Sequence, residues 1–293
     1  MKKYACLDIG GTAIKYGLID ENGYIIEKKS TATEADKIVE TAIDIVENFK
    51  RINDISGICI STAGMVDPIK GEIVYSGPTI PNYKGTRLKA IMEERFGVPC
   101  EVENDVNCAN LAEYISGASV GSDTSIMLTV GTGIGGSMII GGNLYRGWTN
   151  SACEVGYMHM EGGEFQALGA ASVLTAKVAE RKNDPKESWS GIRIFEEAKK
   201  GDAICCQAIE EMVDVLGKGI ANICYVVNPQ VIVLGGGIMA QEAYLKDKIE
   251  NSVKKHLISH LEKNTKIVYA KYKNDAGMLG AFYHFCRCRG ENE

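Results

Sequence analysis

Residues 4–12 read Tyr-Ala-Cys-Leu-Asp-Ile-Gly-Gly-Thr, and this stretch decides the fold. Apart from Asp8, its first six residues are apolar and β-prone, which predicts a buried strand, and the glycine pair ends that strand in a turn. Strand-prone residues continue at 14–19 and 24–30, and the turn between them contains Asn22-Gly23, a strong hairpin signal. The chain is therefore predicted to begin with three consecutive strands.

The same order of features returns in the second half of the chain. Gly131-Thr132 lies 120 residues after Gly11-Thr12, with further strand-prone residues and a Gly141-Gly142 turn behind it. The predicted strands of this second copy are 124–130, 136–140 and 143–146. Self-similarity at a fixed offset predicts two similar α/β lobes, and a cleft at such a junction is a usual ligand site.

Hydrophobic periodicity predicts the remaining elements. The predicted helices are 34–51, 86–97, 105–117, 166–181, 191–200, 202–227, 242–260 and 275–287, and the further strands are 55–61, 99–103, 230–234 and 266–270. Residues 1–117 are expected to form the N-terminal lobe, with a C-terminal helix at 275–293 packing back on it. Residues 118–274 are expected to form the C-terminal lobe.

Composition limits the class of function. The chain has 293 residues, is 45% hydrophobic and carries a net charge of −6, so no basic surface predicts a nucleic-acid partner. It has no apolar run long enough to span a bilayer and no signal-peptide core, so a cytoplasmic protein is expected. Its ten cysteines are scattered and are interpreted mainly as small buried side chains. Cys286 and Cys288 could alternatively bind a metal.

Two glycine motifs are candidates for binding phosphate. In Asp8-Ile9-Gly10-Gly11-Thr12, backbone N–H groups could cradle phosphate oxygens, and Asp8 could hold Mg²⁺ through a water molecule. Gly131-Thr132-Gly133-Ile134-Gly135-Gly136 formally matches the dinucleotide fingerprint, but a strand follows it where that fingerprint requires a helix. A phosphate-binding hairpin remains. An ordinary glycine turn is the alternative for both motifs.

Three further motifs contain candidate ligands of a substrate. Asp105, in Glu103-Asn104-Asp105-Val106-Asn107, could take the proton of an attacking hydroxyl while Asn104 binds a neighbouring one; helix capping is the alternative. Glu154 and Tyr157 suit hydroxyl recognition, or one of them is structural. Gly235-Gly236-Gly237, after a buried strand, would admit a flat ligand such as adenine, or simply form a tight turn.

In this order, these motifs resemble those of the ROK family of sugar kinases and repressors, within the actin-like ATPase superfamily. The resemblance covers nearly the whole chain and implies an α/β fold of duplicated ribonuclease-H-like lobes around a central cleft. It also implies ATP and Mg²⁺ as cofactors and phosphorylation of a sugar hydroxyl, usually O6. A homodimer is expected from the same resemblance.

The resemblance also assigns roles to residues. It implies that Asp105 is the catalytic base, and that the sugar is bound by Gly64, Asn104, Asp105, Glu154, Tyr157 and Gln166. The implied nucleotide-binding residues are Asp8, Gly10, Gly11, Thr12, Gly131, Thr132, Gly133, Gly235 and Gly236. No DNA-binding segment precedes the first strand, which favours a kinase over a repressor.

The departures from the family bear on specificity. Most members have His at the position of Tyr157 and then a cysteine-rich zinc loop, which residues 160–166 replace without a cysteine. No structural zinc is therefore expected, and Gln166 takes the place of a later sugar-binding glutamate. The chain is similar in this respect to N-acetylmannosamine kinases and β-glucoside kinases, so plain glucokinase specificity is not expected.

Three alternatives remain open from sequence. A sugar-sensing regulator would bind the ligand without turnover. A nicotinamide oxidoreductase would use the 131–136 motif to bind a dinucleotide. A different actin-like kinase would act on acetate, glycerol or a related acid or polyol.

Overall fold

The structure, a computed structural model, describes residues 1–77 and 80–290. Its contacts divide the chain into two compact units. The first contains Met1–Ser116, Arg146–Ser151 and the chain from Asn274 onward, and the second contains Gly117–Tyr145 and Ala152–Lys273. The predicted second lobe, 118–274, includes a short segment that the contacts group with the first unit. Of the predicted C-terminal helix, residues 291–293 lie outside the described residues.

The strands of the described residues fall into two large sheets and two small hairpins. They are β1 (Lys3–Ile9), β2 (Ala13–Asp20), β3 (Ile25–Ala32), β4 (Gly57–Thr62), β5 (Met65–Asp67), β6 (Glu72–Tyr75), β7 (Cys100–Asn104), β8 (Thr124–Val130), β9 (Ile134–Ile140), β10 (Asn143–Leu144), β11 (His159–Met160), β12 (Gly163–Glu164), β13 (Val231–Gly235) and β14 (Lys266–Tyr269).

The helices lie between and after these strands. They are α1 (Ile38–Ile52), α2 (Leu88–Phe96), α3 (Asp105–Ser116), α4 (Phe165–Gly169), α5 (Ala171–Lys182), α6 (Gly191–Lys199), α7 (Ala203–Val227), α8 (Glu242–His256), α9 (Ser259–Asn264) and α10 (Ala276–Arg289).

Each unit contains one five-stranded sheet of the same topology. The strand orders are β3-β2-β1-β4-β7 in the first unit and β10-β9-β8-β13-β14 in the second. In both sheets the first three strands of the unit are antiparallel neighbours, and the last two run parallel to the first. The predicted duplication of an α/β lobe is therefore confirmed.

The core of the first unit is completed by α10, the last helix of the chain. The rings of Phe282 and Phe285 pack edge-on against Tyr4 of β1, with centroids 5.2 and 5.3 Å away. A Cβ atom added at Gly280 would lie only 1.7 Å from the Cys108 carbonyl oxygen of α3, so the two helices cross in direct backbone contact. The core of the second unit is built around the long α7, whose Gly219 lies against the ring of buried Phe165.

Several predicted elements differ in detail from the structure. The helix predicted at 166–181 is two helices, α4 and α5, because Ala170 is extended (ψ 156°) between them. The helix predicted at 242–260 ends at His256 and is followed by the separate α9. The strand predicted at 143–146 is only two residues long, and the β5–β6 and β11–β12 hairpins were not predicted.

Among residues 1–77 and 80–290, no helix combines the length and the apolar character that crossing a bilayer requires.

Candidate active site

Three parallel strands of the first unit end at one edge of its sheet and bring polar side chains together there. In the strand register, Asp8 of β1 lies beside Ser61 of β4, and Ser61 lies beside Glu103 of β7. One position further, Thr62 lies beside Asn104. Because the carboxyl ends of parallel strands in α/β sheets are where ligands usually bind, this edge is the candidate site of the first unit.

Asp8 is held in place but keeps access to solvent. Ser61 Oγ donates to its Oδ1 at 2.8 Å, and Lys15 Nζ lies 3.5 Å from its Oδ2. Its side chain is 13% exposed. A Cβ atom at Gly277 would lie 2.3 Å from the Asp8 Cγ atom, so the first turn of α10 packs directly on this carboxylate. An oriented carboxylate of this kind fits a hydrated magnesium ion.

The turn after β1 leaves its tip open to solvent. The Gly10 N–H donates to the Ala13 carbonyl oxygen at 3.1 Å, and Thr33 Oγ1 donates to the Gly10 carbonyl oxygen at 2.6 Å. Gly11 and Thr12, between these anchors, are exposed. The turn is therefore fixed at its base and accessible where a phosphate group would approach.

Asp105 is the first residue of α3, and its neighbours orient it. Its Oδ1 accepts hydrogen bonds from the Val106 N–H and from Asn104 Nδ2, both at 2.9 Å. The same amide nitrogen donates to the Gly64 carbonyl oxygen at 2.8 Å. Gly64 has φ 100°, and a Cβ atom there would lie 2.6 Å from the Tyr75 carbonyl oxygen, so this position requires glycine. The structure thus brings Gly64, Asn104 and Asp105 into one cluster.

A buried ion pair supports this cluster. Glu103 is 1% exposed, and its Oε1 accepts from the Asn104 N–H at 2.8 Å and from Asn107 Nδ2 at 3.0 Å. Its Oε2 lies 2.7 Å from Arg146 Nε. Sequence reasoning did not select Arg146, and the only available signal was one cation at the end of a predicted strand.

In the second unit, the first residues of α5 hold the 131–133 loop. The Ala171 N–H donates to the Gly131 carbonyl oxygen at 2.9 Å, and Ser172 Oγ donates to the Thr132 carbonyl oxygen at 2.6 Å. Within the loop, the Gly131 N–H donates to the Gly133 carbonyl oxygen at 2.9 Å. A Cβ atom at Gly131 would meet no atom within 4 Å, so space for a ligand remains beside this residue.

The second glycine motif lies next to this loop. Gly235 ends β13, which is parallel to β8 and pairs Gly235 with Thr129. Gly236 has φ 94°, and a Cβ atom there would lie 2.3 Å from the Val130 carbonyl oxygen. No other residue fits such close contact between two backbones. The ends of β8 and β13 therefore present two adjacent glycine turns.

Gln166 joins the same region of the second unit. Its Oε1 atom would be 2.8 Å from a Cβ atom at Gly133 and 3.1 Å from one at Gly156, so its amide fills the space beside these glycines. Gly156 stands between Glu154 and Tyr157, in a short 3₁₀ turn that starts at Val155. Tyr157 is 44% exposed.

The carboxyl group of Glu154 has a perturbed pKa. Its side chain reaches solvent, yet the protein atoms around the carboxyl group remove part of its hydration. This desolvation raises the pKa of Glu154 above its ordinary value.

Among the described residues, Cys286 and Cys288 do not lie together as ligands of one metal site. Cys286 is buried, while exposed Cys288 faces His284, with its sulfur 3.7 Å from Nε2. Cys288, His284 and Glu101 form a group of three potential metal ligands. However, Lys89 and Arg289 already pair with Glu101 at 2.8 and 2.7 Å, and their positive charges oppose a bound cation.

The predicted site residues are thus divided between the units. Those of the first unit are Asp8, Gly10, Gly11, Thr12, Gly64, Asn104 and Asp105, and those of the second are Gly131, Thr132, Gly133, Glu154, Tyr157, Gln166, Gly235 and Gly236. Glycine turns after the first strands of duplicated sheets, with a carboxylate at a strand end, define the actin-like ATPase fold. The chain belongs to the ROK family, whose profile matches residues 4–287.

Individual relatives cover almost the full chain. A β-glucoside kinase of Listeria monocytogenes is 35% identical, and the alignment covers 99% of this chain and 100% of the relative. A ROK family glucokinase from Streptomyces griseus, solved with glucose and AMPPNP, has a TM-score of 0.85 at 29% identity and covers 95% and 97% of the two chains. A Listeria monocytogenes protein provisionally assigned as an N-acetylmannosamine kinase has a TM-score of 0.89 at 32% identity, with 98% and 99% coverage.

Proposed function

We propose that this protein is a sugar kinase that transfers the γ-phosphate of ATP to a hydroxyl group, O6, of a hexose, an N-acetylhexosamine or a β-glucoside. The observation that carries the proposal is the cluster of Gly64, Asn104 and Asp105, in which a carboxylate at a helix N-terminus is oriented by two hydrogen bonds. ROK relatives named as kinases of glucose and β-glucosides support the same reaction class.

Asp105 acts as the general base. Its carboxylate accepts the proton of the attacking hydroxyl and aligns the oxygen with the phosphorus atom. Asn104 fixes the carboxylate through its Nδ2 group, and the Glu103–Arg146 pair fixes the backbone of Asn104 in turn. Glu154, Tyr157 and Gln166 of the second unit bind other hydroxyl groups and select the sugar.

The glycine turns hold the phosphate chain. The exposed tip at Gly11-Thr12 and the loop at 131–133 offer backbone N–H groups, and Gly235 and Gly236 admit the flat base and ribose. Asp8, whose carboxylate is oriented by Ser61, is the residue that would hold Mg²⁺. Bound ATP would supply the phosphoryl group, and Mg²⁺ would neutralise the charge that develops on it.

The substitution Asp105→Asn tests the role of this carboxylate. It keeps an oxygen that can accept the Val106 and Asn104 hydrogen bonds but removes the base, so kcat should fall by ~10²–10⁴-fold. A coupled assay of ADP release with glucose, N-acetylmannosamine, N-acetylglucosamine and cellobiose measures this change and identifies the acceptor.

The matched control is Asp36→Asn, the same chemical change at an exposed acid outside the site, which should leave kcat unchanged. Retention of more than about a tenth of the wild-type rate by Asp105→Asn would contradict the assigned role. A wild-type protein that binds a sugar but turns over none of these acceptors would instead favour a sugar-sensing regulator.

A further inference from the structure

Trp148 is an indole side chain without a packing role. It is 99% exposed, whereas the only other tryptophan, Trp189, is 7% exposed and donates through Nε1 to Asp184 Oδ2 at 3.0 Å. Trp is normally well buried, since its large apolar surface is expensive to hydrate. A fully exposed indole therefore suggests a surface that is covered by something other than the folded chain.

The loop that carries Trp148 is attached next to the cluster of Gly64, Asn104 and Asp105. Residues Arg146–Ser151 belong to the first unit although the chain on both sides belongs to the second. The attachment is the bond from Arg146 Nε to Glu103 Oε2 (2.7 Å), and Glu103 directly precedes Asn104. Two residues span at most about 7 Å, so the Trp148 backbone must lie close to Arg146.

The conformation of this loop is defined by its own residues. Gly147 and Asn150 have φ values of 71° and 58°, which places a turn on each side of the indole. Thr149 Oγ1 donates to Ser151 Oγ at 3.2 Å, and Ser151 Oγ donates to the Thr149 carbonyl oxygen at 3.1 Å. The residues next to Trp148 in the sequence, Gly147, Thr149 and Asn150, are small or polar, and half-exposed Tyr145 precedes the loop.

The composition of residues 146–151 indicates which class of ligand Trp148 would bind. A protein partner normally needs a cluster of apolar side chains around an aromatic anchor, and residues 146–151 offer none besides Trp148. A single aromatic face among hydroxyl and amide groups suits a sugar ring, whose C–H face packs on the indole while its hydroxyl groups bond to the polar neighbours.

We propose that Trp148 forms an outer subsite that binds the second ring of an extended acceptor, a β-linked disaccharide or aryl β-glucoside whose non-reducing sugar is phosphorylated at the Asp105 cluster. This subsite rests on the proposed sugar kinase function and narrows its substrate class. A monosaccharide held at Asn104 and Asp105 would not need the indole.

The kinetic test compares cellobiose with glucose in the wild type, Trp148→Ala and Trp148→Tyr. Loss of the aromatic face should lower kcat/KM for cellobiose about fivefold to tenfold, mainly through KM, and change the value for glucose less than twofold. Tyr should restore most of the loss. Because the indole is almost fully exposed, the thermal unfolding of Trp148→Ala should match that of the wild type. Equal losses for both sugars, or none for either, would overturn the subsite.

Fluorescence separates this proposal from the kinase reaction. Cellobiose should shift the emission of Trp148 to shorter wavelength, and Trp148→Phe, which keeps buried Trp189, should show no shift. A shift without phosphorylation of any sugar would support the subsite and count against the proposed function. Phosphorylation of cellobiose without a shift would overturn the subsite alone. A third outcome would also overturn the subsite. If Trp148 already emits at the wavelength of a buried indole in the ligand-free wild type, and if Trp148→Ala loses a dimer, the indole is covered by a second copy of the chain.

Discussion

Asn104 combines two roles that the sequence presents as alternatives. Its Oδ1 accepts from the N–H groups of Val106 and Asn107 at 2.9 and 3.0 Å, which caps α3. Its Nδ2 donates to Gly64 and Asp105. A single side chain therefore starts the helix and orients the candidate base. Capping and function are not exclusive at this position, because the start of α3 lies at the edge of the sheet where ligands bind.

The raised pKa of Glu154 predicts a pH dependence of sugar binding. An ionised carboxylate accepts hydrogen bonds from sugar hydroxyl groups, and its protonation removes part of that capacity. Because desolvation raises the pKa of Glu154, the sugar KM should begin to rise, as the pH falls, at a higher pH than an ordinary glutamate would give. Glu154→Gln should raise KM about 10- to 100-fold, as expected when a charged acceptor is lost, and remove this pH dependence.

Exposed Glu161 supplies the control, since Glu161→Gln should leave the pH profile of KM intact. A wild-type KM that stays flat until the pH reaches the usual pKa range of a glutamate would contradict the prediction.

The raised pKa of Glu154 also affects the stability of the fold. The folded state holds the Glu154 proton more tightly than the unfolded chain, so this residue lowers stability as the pH rises through the raised pKa.

Individual partners of the site were less predictable than the motifs themselves. Asp8, Asn104 and Asp105 stand out in the sequence because polar residues at a strand end or beside glycines are conspicuous. Ser61 and Arg146 do not, because their importance depends on the strand register and on a loop that returns to the first unit. Such long-range contacts leave no local pattern.

At the scale of elements, the crossing of α10 and α3 predicts a severe effect of Gly280→Ala. The added methyl group would lie 1.7 Å from the Cys108 carbonyl oxygen, which is backbone and cannot turn aside. The helices must then separate, and overpacking of this kind typically costs ~1–3 kcal/mol in free energy of unfolding, occasionally more. Urea denaturation of the variant measures the loss.

Gly191→Ala is the matched control. Gly191 begins α6, has open space around its Cα, and adopts no positive φ. Alanine there should be neutral or should stabilise the protein by up to ~1 kcal/mol, since glycine loses more backbone entropy on folding. Similar denaturation midpoints for the two variants would show that the α3–α10 contact does not limit stability.

The boundary between α4 and α5 illustrates what local sequence cannot reveal. Ala170 is a strong helix former, and the preceding Gly169 is tolerated inside helices, so the sequence gives only a weak signal of a break. The break follows from tertiary structure, since Ala171 and Ser172 donate to the 131–132 loop and so fix where α5 begins. By contrast, the start of α7 was predicted to within one residue, and the structure shows that Asp202 caps it by accepting from the Cys205 N–H at 2.9 Å.

At the scale of the molecule, the repeat made the fold predictable. The offset between Gly11-Thr12 and Gly131-Thr132 reflects two sheets with the same strand order. The insertion of residues 146–151 into the first unit could not be predicted, because it depends on long-range contacts such as the ion pair between Arg146 and Glu103. A homodimer stays a prediction.

Removal of α10 should unfold the first unit selectively. Met278, Leu279, Phe282 and Phe285 are each at most 5% exposed, and burial of such side chains contributes ~1.5–3 kcal/mol apiece, so the loss approaches the whole stability of a domain. The second unit has a core of its own. A chain that stops at residue 273 should therefore retain the native emission of Trp189 but bind no sugar.

Calorimetry provides the comparison, with the full chain as the reference. The shortened chain should lose part of the unfolding enthalpy and keep the remainder. Complete loss of cooperative unfolding would mean that the second unit depends on the first. An unchanged melting curve would mean that α10 contributes little.

The position of α10 has a consequence during translation. Domains usually fold in the order in which they leave the ribosome, but the first unit cannot close until its final helix has been synthesised. Tyr4 and the neighbouring apolar face of β1 therefore stay exposed to solvent while more than half of the polypeptide is synthesised. The nascent chain thus exposes a hydrophobic surface that a ribosome-associated chaperone could bind. The second unit, in contrast, can fold almost completely before the chain leaves the ribosome.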